Sequence, residues 1–105
     1  MKKIKISLEY GAFPIWFYDE SGNLIDNDSP EELRNNKQID DRLLELQKEY
    51  EALFINNKVE FTYKGFQDEE AKYEFQQKVD SVISEITNFV NNNYQIENAI
   101  DVSTL

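Results

Sequence analysis

The sequence contains no histidine and no cysteine, and it has only three glycines and two prolines in 105 residues. Without histidine, the chain lacks the usual general base, the serine–histidine–aspartate triad and imidazole metal ligands. Without cysteine, it can form neither disulfides nor thiolate metal sites. Three scattered glycines cannot build a glycine-rich phosphate loop. We therefore expect a binding protein rather than an enzyme, with no catalytic residues, no metal site and no cofactor.

The chain also lacks any apolar run long enough to cross a bilayer. Its first nine residues include three lysines, but polar residues alternate with the apolar ones and Glu9 interrupts the segment. A secretory signal needs a continuous apolar stretch at this point, so none is predicted. We expect a cytoplasmic protein that does not contact a membrane.

Negative charge is what the sequence has in excess. It carries 21 acidic residues against 11 basic ones, which gives a formal net charge of −10. This charge opposes binding to nucleic acid, whose phosphates require lysine and arginine, and it opposes docking on anionic lipid. It favours a basic protein partner, although an acidic surface also simply keeps a protein soluble.

The hydrophobic pattern predicts one α+β domain over residues 1–105, with elements in the order βββ-α-β-α. Alternating apolar residues predict strands at 4–10 and at 59–63, and an aromatic strand at 12–18 leads through a turn to a short return strand at 23–26. We expect a mostly antiparallel sheet with two amphipathic helices packed on one face. The strand at 59–63 is expected to pair with an edge of that sheet.

The two helices are predicted from caps and apolar stripes. Ser29 and Glu32 have the spacing of a capping box, and an apolar stripe then runs from Ile39 to Leu53. Asp68 is the predicted N-cap of the last helix. The tail at 94–105 has no clear period, so a loosely docked extension, a short final strand and a frayed end stay open.

The most distinctive segment is the aromatic run at 13–18, which leads directly into Asp19 and Glu20. A central strand covered on both faces would show this pattern, and Trp16 would then belong to the core. Alternatively, Trp16 and Tyr18 stay exposed beside the acids. Large rings then supply contact area and carboxylates steer a basic partner. The sequence leaves both interpretations open.

Carboxylates concentrate after this run, because residues 12–33 contain neither lysine nor arginine. The predicted partner-binding residues are Trp16, Tyr18, Asp19, Glu20, Asp26 and Asp28. The rings would anchor the partner and the acids would steer it. A calcium loop starting at Asp19 is disfavoured, since Leu24 stands where glycine is needed and Pro30 where a bidentate glutamate is needed.

In size, acidity, lack of cysteine and α+β pattern, the chain resembles the small immunity and antitoxin proteins of bacterial toxin systems. The features that carry the resemblance are the acidic excess, the aromatic run beside Asp19 and Glu20, and the missing catalytic residues. Such proteins bind a cognate toxin and block its active site. The resemblance implies that this chain neutralises or regulates a basic protein partner, with a toxin as the expected partner.

Other functions fit the same residues. If Pro14 marks a sheet edge, the chain could associate with itself there, so the sequence does not decide between a monomer and a homodimer. The carboxylates between Asp19 and Glu32 could instead form a cation-binding or sugar-binding site. Carboxylates along the helices could also imitate the charge of nucleic acid, although a solvated helix face explains them equally well.

Overall fold

The computed structural model describes residues 1–105, apart from the side chain of Asn91. The strands are β1 (Lys2–Ile6), β2 (Ile15–Tyr18), β3 (Leu24–Asp26), β4 (Phe54–Asn56), β5 (Phe61–Tyr63) and β6 (Tyr94–Asn98). The helices are α1 (Glu31–Arg34), α2 (Lys37–Glu51) and α3 (Glu69–Val90), with short 3-10 turns at Asn91–Asn93 and Val102–Thr104. The predicted α+β class is confirmed.

The main sheet has the strand order β3-β2-β1-β6. β2 is antiparallel to both β1 and β3, so the predicted three-stranded meander is confirmed. β1 and β6 are parallel, with Ile4 opposite Ile96, which makes the sheet mixed. The expectation that the strand at 59–63 joins this sheet is wrong, because β6 occupies the edge beside β1.

The core lies between the main sheet and the helices. Ile4 and Ile6 of β1 and Ile15 of β2 have no exposed surface, because alternate strand residues face the helices. Leu43 of α2 and Ile86 of α3 belong to the same buried cluster. This packing is the expected arrangement of helices on one face of the sheet. The strand residues that alternate with the buried ones, such as Lys5 and Trp16, lie on the opposite face.

Side chains cap the two long helices. Asp68 Oδ1 accepts a hydrogen bond from the backbone N–H of Ala71 at 2.8 Å, as the sequence predicts. Asn36 Oδ1 accepts from the N–H of Ile39 at 3.1 Å and separates α2 from α1. Both caps satisfy a backbone donor that has no partner within its helix.

The predicted capping box at Ser29 and Glu32 is wrong. Pro30 occupies the N-cap position of α1, which has no side-chain cap, and the hydroxyl of Ser29 is buried without a hydrogen-bond partner. Glu32 instead accepts a hydrogen bond from the Tyr94 hydroxyl at 2.7 Å. A single helical turn that begins after Pro30 places Ser29 outside capping reach.

The β4–β5 hairpin forms a separate two-stranded sheet. α2 ends at Glu51, so the apolar stripe predicted through Leu53 extends past the helix. Leu53 is nevertheless buried, and the chain then turns directly into β4. Residues 59–63 therefore pair locally with β4 instead of crossing to the main sheet.

The segment after α3 returns along the main sheet. Of the three conformations left open for residues 94–105, the structure has a strand at Tyr94–Asn98. Val102 is buried against Leu46 and Phe75, and Leu105 packs on the same cluster. The last residues described thus contribute both backbone pairing and apolar contacts.

Candidate functional site

The outer face of the main sheet, turned away from the helices, carries the two predicted anchor residues. The register sets Lys5 opposite Trp16 and Lys3 opposite Tyr18. Lys3 Nζ lies 4.8 Å from the centre of the Tyr18 ring and 3.1 Å from Glu97 Oε1. The rings are therefore flanked by lysines of β1 on this side, which the alternation of Lys3 and Lys5 in the sequence could have indicated.

Trp16 and Tyr18 are both half-buried, so neither interpretation of the aromatic run holds in full. The indole Nε1 of Trp16 is buried without a hydrogen-bond acceptor. An unpaired buried donor costs on the order of 1–3 kcal/mol, so the indole N–H does not favour folding. The Trp16 ring contributes apolar contact area instead.

Asp19 organises the turn between β2 and β3. Its Oδ1 accepts hydrogen bonds from the backbone N–H groups of Ser21 and Asn23, both at 2.9 Å. These bonds, led by the one from Asn23, hold the pKa of Asp19 below its ordinary value. One carboxylate oxygen of Asp19 therefore stabilises the turn, whereas Glu20 at the tip is exposed.

β3 is an edge strand of the main sheet, and all three of its residues are exposed. Leu24 lies opposite Tyr18 and is 51% exposed, and Ile25 is 50% exposed. We call this strand and the carboxylates around it in the sequence the acidic edge. Its carboxylates are those of Asp19, Glu20, Asp26 and Asp28.

The two other predicted acids lie beyond the turn. Asp26, at the end of β3, is exposed and accepts a hydrogen bond from the N–H of Asn27 at 2.8 Å. Asp28 is half-buried and accepts from the N–H of Ser29 at 2.7 Å. Glu20 and Asp26 are therefore the acids of the predicted set with the most solvent exposure, while Asp19 and Asp28 also support the local backbone.

Pro14 does not mark an open sheet edge. β2 lies between β1 and β3, and Pro14 is buried. The side chain of Asn27 accepts a hydrogen bond from the N–H of Phe13 and donates to the carbonyls of Phe13 and Ile15. Asn27 thereby occupies the backbone groups on either side of Pro14, which removes the reason for expecting self-association there.

A second aromatic surface, absent from the sequence-based prediction, surrounds Phe54 on the hairpin. The centre of its ring lies 5.2–5.3 Å from those of four other rings. We call these five residues the hairpin cluster; they are Tyr10, Tyr50, Phe54, Phe61 and Tyr63. The cluster was not predicted because the strand at 59–63, which carries Phe61 and Tyr63, was expected at an edge of the main sheet.

Hydrogen bonds hold the hairpin cluster against α2. Glu51 Oε2 accepts from the backbone N–H of Gly11 at 2.8 Å and from Gln47 Nε2 at 2.9 Å. Asn56 Nδ2 donates to the Tyr10 hydroxyl at 2.9 Å. The connection between β1 and β2 is therefore fixed to both the helix and the hairpin.

Carboxylates facing the groove between α2 and α3 are paired with cations. Lys78 Nζ lies 2.6 Å from Glu49 and 3.7 Å from Glu45, and Arg42 is paired with Glu85. The hydrogen bond to Glu49 is the main cause of the raised pKa of Lys78. Charge in this groove is largely balanced, in contrast to the acidic edge.

The structure was also examined for metal-binding clusters of carboxylates and for membrane-spanning helices. In the part of the chain that the structure describes, no three carboxylates come close enough together to hold a metal ion, so the cation-binding alternative gains no support. A search of the described helices found none with the length and apolarity needed to cross a membrane.

Comparison with known proteins gives one positive result. No curated protein matches this chain. A sequence model of the family described as Serratia CdiI immunity protein-like matches residues 2–99, from β1 through β6. This match confirms the resemblance to immunity proteins inferred from the sequence, and the chain belongs to the Serratia CdiI immunity protein-like family.

Proposed function

We propose that this protein acts in the cytoplasm, binds a basic toxin and blocks its activity, without catalysis of its own. Family membership supports an immunity-type role. The observation that favours this particular surface is the acidic edge, where carboxylates and exposed apolar side chains share an edge strand with no lysine or arginine between residues 12 and 33.

The two parts of the surface would act differently during binding. Glu20 and Asp26 are exposed and would attract a basic partner over a distance of about a Debye length. Trp16, Tyr18 and Leu24 would then supply the apolar contact area, since aromatic side chains dominate the energetics of interfaces.

The lysines of β1 would orient the partner. Lys3 is already paired with Glu97 and lies over the Tyr18 ring. A basic partner would be attracted at the acidic edge and repelled near Lys5, so only one orientation would place its cations against carboxylates.

The steering role is tested by measuring association with the cognate toxin. Glu20→Lys together with Asp26→Lys should slow association about tenfold at low salt, because steering contributes mainly to the association rate. Glu70→Lys together with Glu74→Lys on α3 is the matched control, since both residues are exposed and the net charge changes by the same amount. An equal effect of this control would show that net charge rather than the acidic edge steers the partner.

The anchor role is tested at Trp16. Trp16→Phe keeps a ring and removes the unpaired N–H, and this gain offsets the contact area that the smaller ring loses, so folding stability should change little. Trp16→Ala should weaken toxin binding about tenfold or more, as truncated aromatic hot spots do. Failure of the wild-type chain to bind the toxin would refute the proposed function, whereas full affinity in a folded Trp16→Ala variant would refute only the anchor.

A further inference from the structure

The exposed rings of the hairpin cluster are not accounted for by folding. Phe61 is 56% exposed, Tyr63 41% and Tyr10 39%. Contiguous exposed apolar groups on a folded protein mark interaction surfaces far more often than isolated ones do.

The cluster is also held in a defined geometry. Phe61 stacks on Phe54 with an interplanar angle of 11°, and Tyr10 meets Phe61 edge-on at 4.8 Å. Gln47 Nε2 donates to the carbonyl of Glu9 at 2.9 Å, which adds to the bonds that fix the preceding connection. Rings ordered before binding lose little conformational entropy when a partner arrives.

The electrostatic surroundings favour a cation. Glu9 is exposed, and burial raises the pKa of Tyr50, with Tyr63 and the negative charge of Glu9 raising it further. Glu60 Oε2 instead accepts a hydrogen bond from Thr62 Oγ1 at 3.1 Å, on the face of β5 opposite Phe61 and Tyr63. Lys58 and Lys64 also lie on this hairpin but outside the ring cluster. Aromatic faces beside a carboxylate such as that of Glu9 suit an arginine, whose planar guanidinium stacks on rings while it donates hydrogen bonds.

The cluster adjoins the proposed toxin-binding face. β1 ends where β2 begins, with Ile6 opposite Ile15, and Tyr10 lies in the connection between them. Trp16 follows Ile15 directly, so one partner could contact both surfaces. A second copy of this chain is a poorer occupant, because each copy carries a net charge of −10.

We propose that the hairpin cluster is a second contact surface for the same toxin and receives an arginine side chain of that toxin on the faces of Phe61 and Tyr63. The inference rests on the proposed function. It gives the separate β4–β5 hairpin a role in binding.

The experiment measures the affinity of this chain for its cognate toxin by calorimetry. Phe61→Ser should weaken binding about tenfold, in the range of aromatic hot spots. Tyr73→Ser is the matched control, because Tyr73 is 65% exposed on α3 and should have no effect when truncated. Phe61→Tyr keeps a ring face and should retain affinity, whereas Phe61→Leu should lose it, since leucine has no ring to attract a guanidinium.

The outcomes separate the two proposals. If the wild-type chain binds and Trp16→Ala weakens the complex while Phe61→Ser does not, the hairpin surface is refuted and the proposed function stands. Retained affinity in Phe61→Leu refutes the arginine assignment. A wild-type chain that does not bind refutes both proposals. Circular dichroism of Phe61→Ser checks folding, and Tyr63→Ser repeats the test at a second exposed ring if that variant unfolds.

Discussion

In the main sheet, Ile4, Ile6 and Ile15 are fully buried against the helices, whereas every residue of β4 and β5 is at least partly exposed. The main sheet places its aliphatic side chains against α2 and α3. The hairpin packs its aromatic rings on one another at the surface. The difference indicates that the helix-facing apolar residues of the main sheet contribute most to folding, while the exposed rings of the hairpin contribute less.

The largest expected effect is in the main core. Leu43→Ala should lower the free energy of unfolding by about 2–5 kcal/mol, because Leu43 has no exposed surface and truncation leaves a cavity. Leu44→Ala on the same helix is the matched control, since Leu44 is 51% exposed and should cost no more than about 0.5 kcal/mol. Urea unfolding followed by circular dichroism measures both. Equal costs would mean that α2 does not pack as described.

A smaller and more local effect is expected at the centre of the hairpin cluster. Phe54→Ala should cost about 2 kcal/mol, below the usual range for buried phenylalanine, because Phe54 is only half-buried. Hydrogen exchange should show lost protection at β4 and β5 with protection at β1 retained. If β1 loses protection to the same extent, the hairpin and the main sheet unfold as one unit and the comparison fails.

Tyr94→Phe tests the contact between β6 and α1. Loss of the hydrogen bond to Glu32 should cost about 1 kcal/mol at neutral pH. Burial, followed by that hydrogen bond, raises the pKa of Tyr94 from 10.0 to about 12. The protonated hydroxyl therefore contributes its full stability below pH 10.0 and loses it as the pH rises through about 12. Wild type should lose more stability than Tyr94→Phe across this window in thermal unfolding, and parallel losses would contradict the assignment.

The smallest expected effect is at the β2–β3 turn. Because the folded-state pKa of Asp19 lies below 3.8, its ionised carboxylate stabilises the fold above that pH, and the contribution disappears as the pH falls through the lower value. The stability difference between wild type and Asp19→Asn should therefore shrink in acid. Glu20→Gln is the control, since Glu20 is exposed at the same turn. A pH-independent difference would show that the turn does not depend on the charge.

The main sheet was largely predictable because its patterns are local. The alternation in β1, the cap at Asp68 and the aromatic strand leading into a turn each depend on neighbouring residues. The end of α2 was not predictable, since Leu53 is buried beyond the helix and keeps the apolar stripe continuous. The conformation of residues 94–98 was ambiguous because it depends on whether this segment or the strand at 59–63 pairs with the free edge of β1. The local sequence does not determine that choice.

The candidate site was predictable only in part. The exposed positions of Glu20 and Asp26 agree with the sequence-based hypothesis, and their role in binding stays a prediction. The positions of Lys3 and Lys5 beside the rings could have been predicted, because pairing of β1 with β2 brings them opposite Tyr18 and Trp16. The hairpin cluster depends on a tertiary contact between Tyr10 and Phe54, which residue spacing cannot reveal.

The parallel pairing of β1 and β6 has a consequence for synthesis of the chain. Lys3 and Glu97, which join across these strands, are separated by 94 positions. β1 therefore leaves the ribosome long before its parallel neighbour, and closing so long a loop is slow compared with forming the β1–β2 hairpin. We expect nascent chains that have not yet reached β6 to expose the unpaired edge of β1 to chaperones. The main sheet would then be completed only after residues 94–98 have emerged from the exit tunnel.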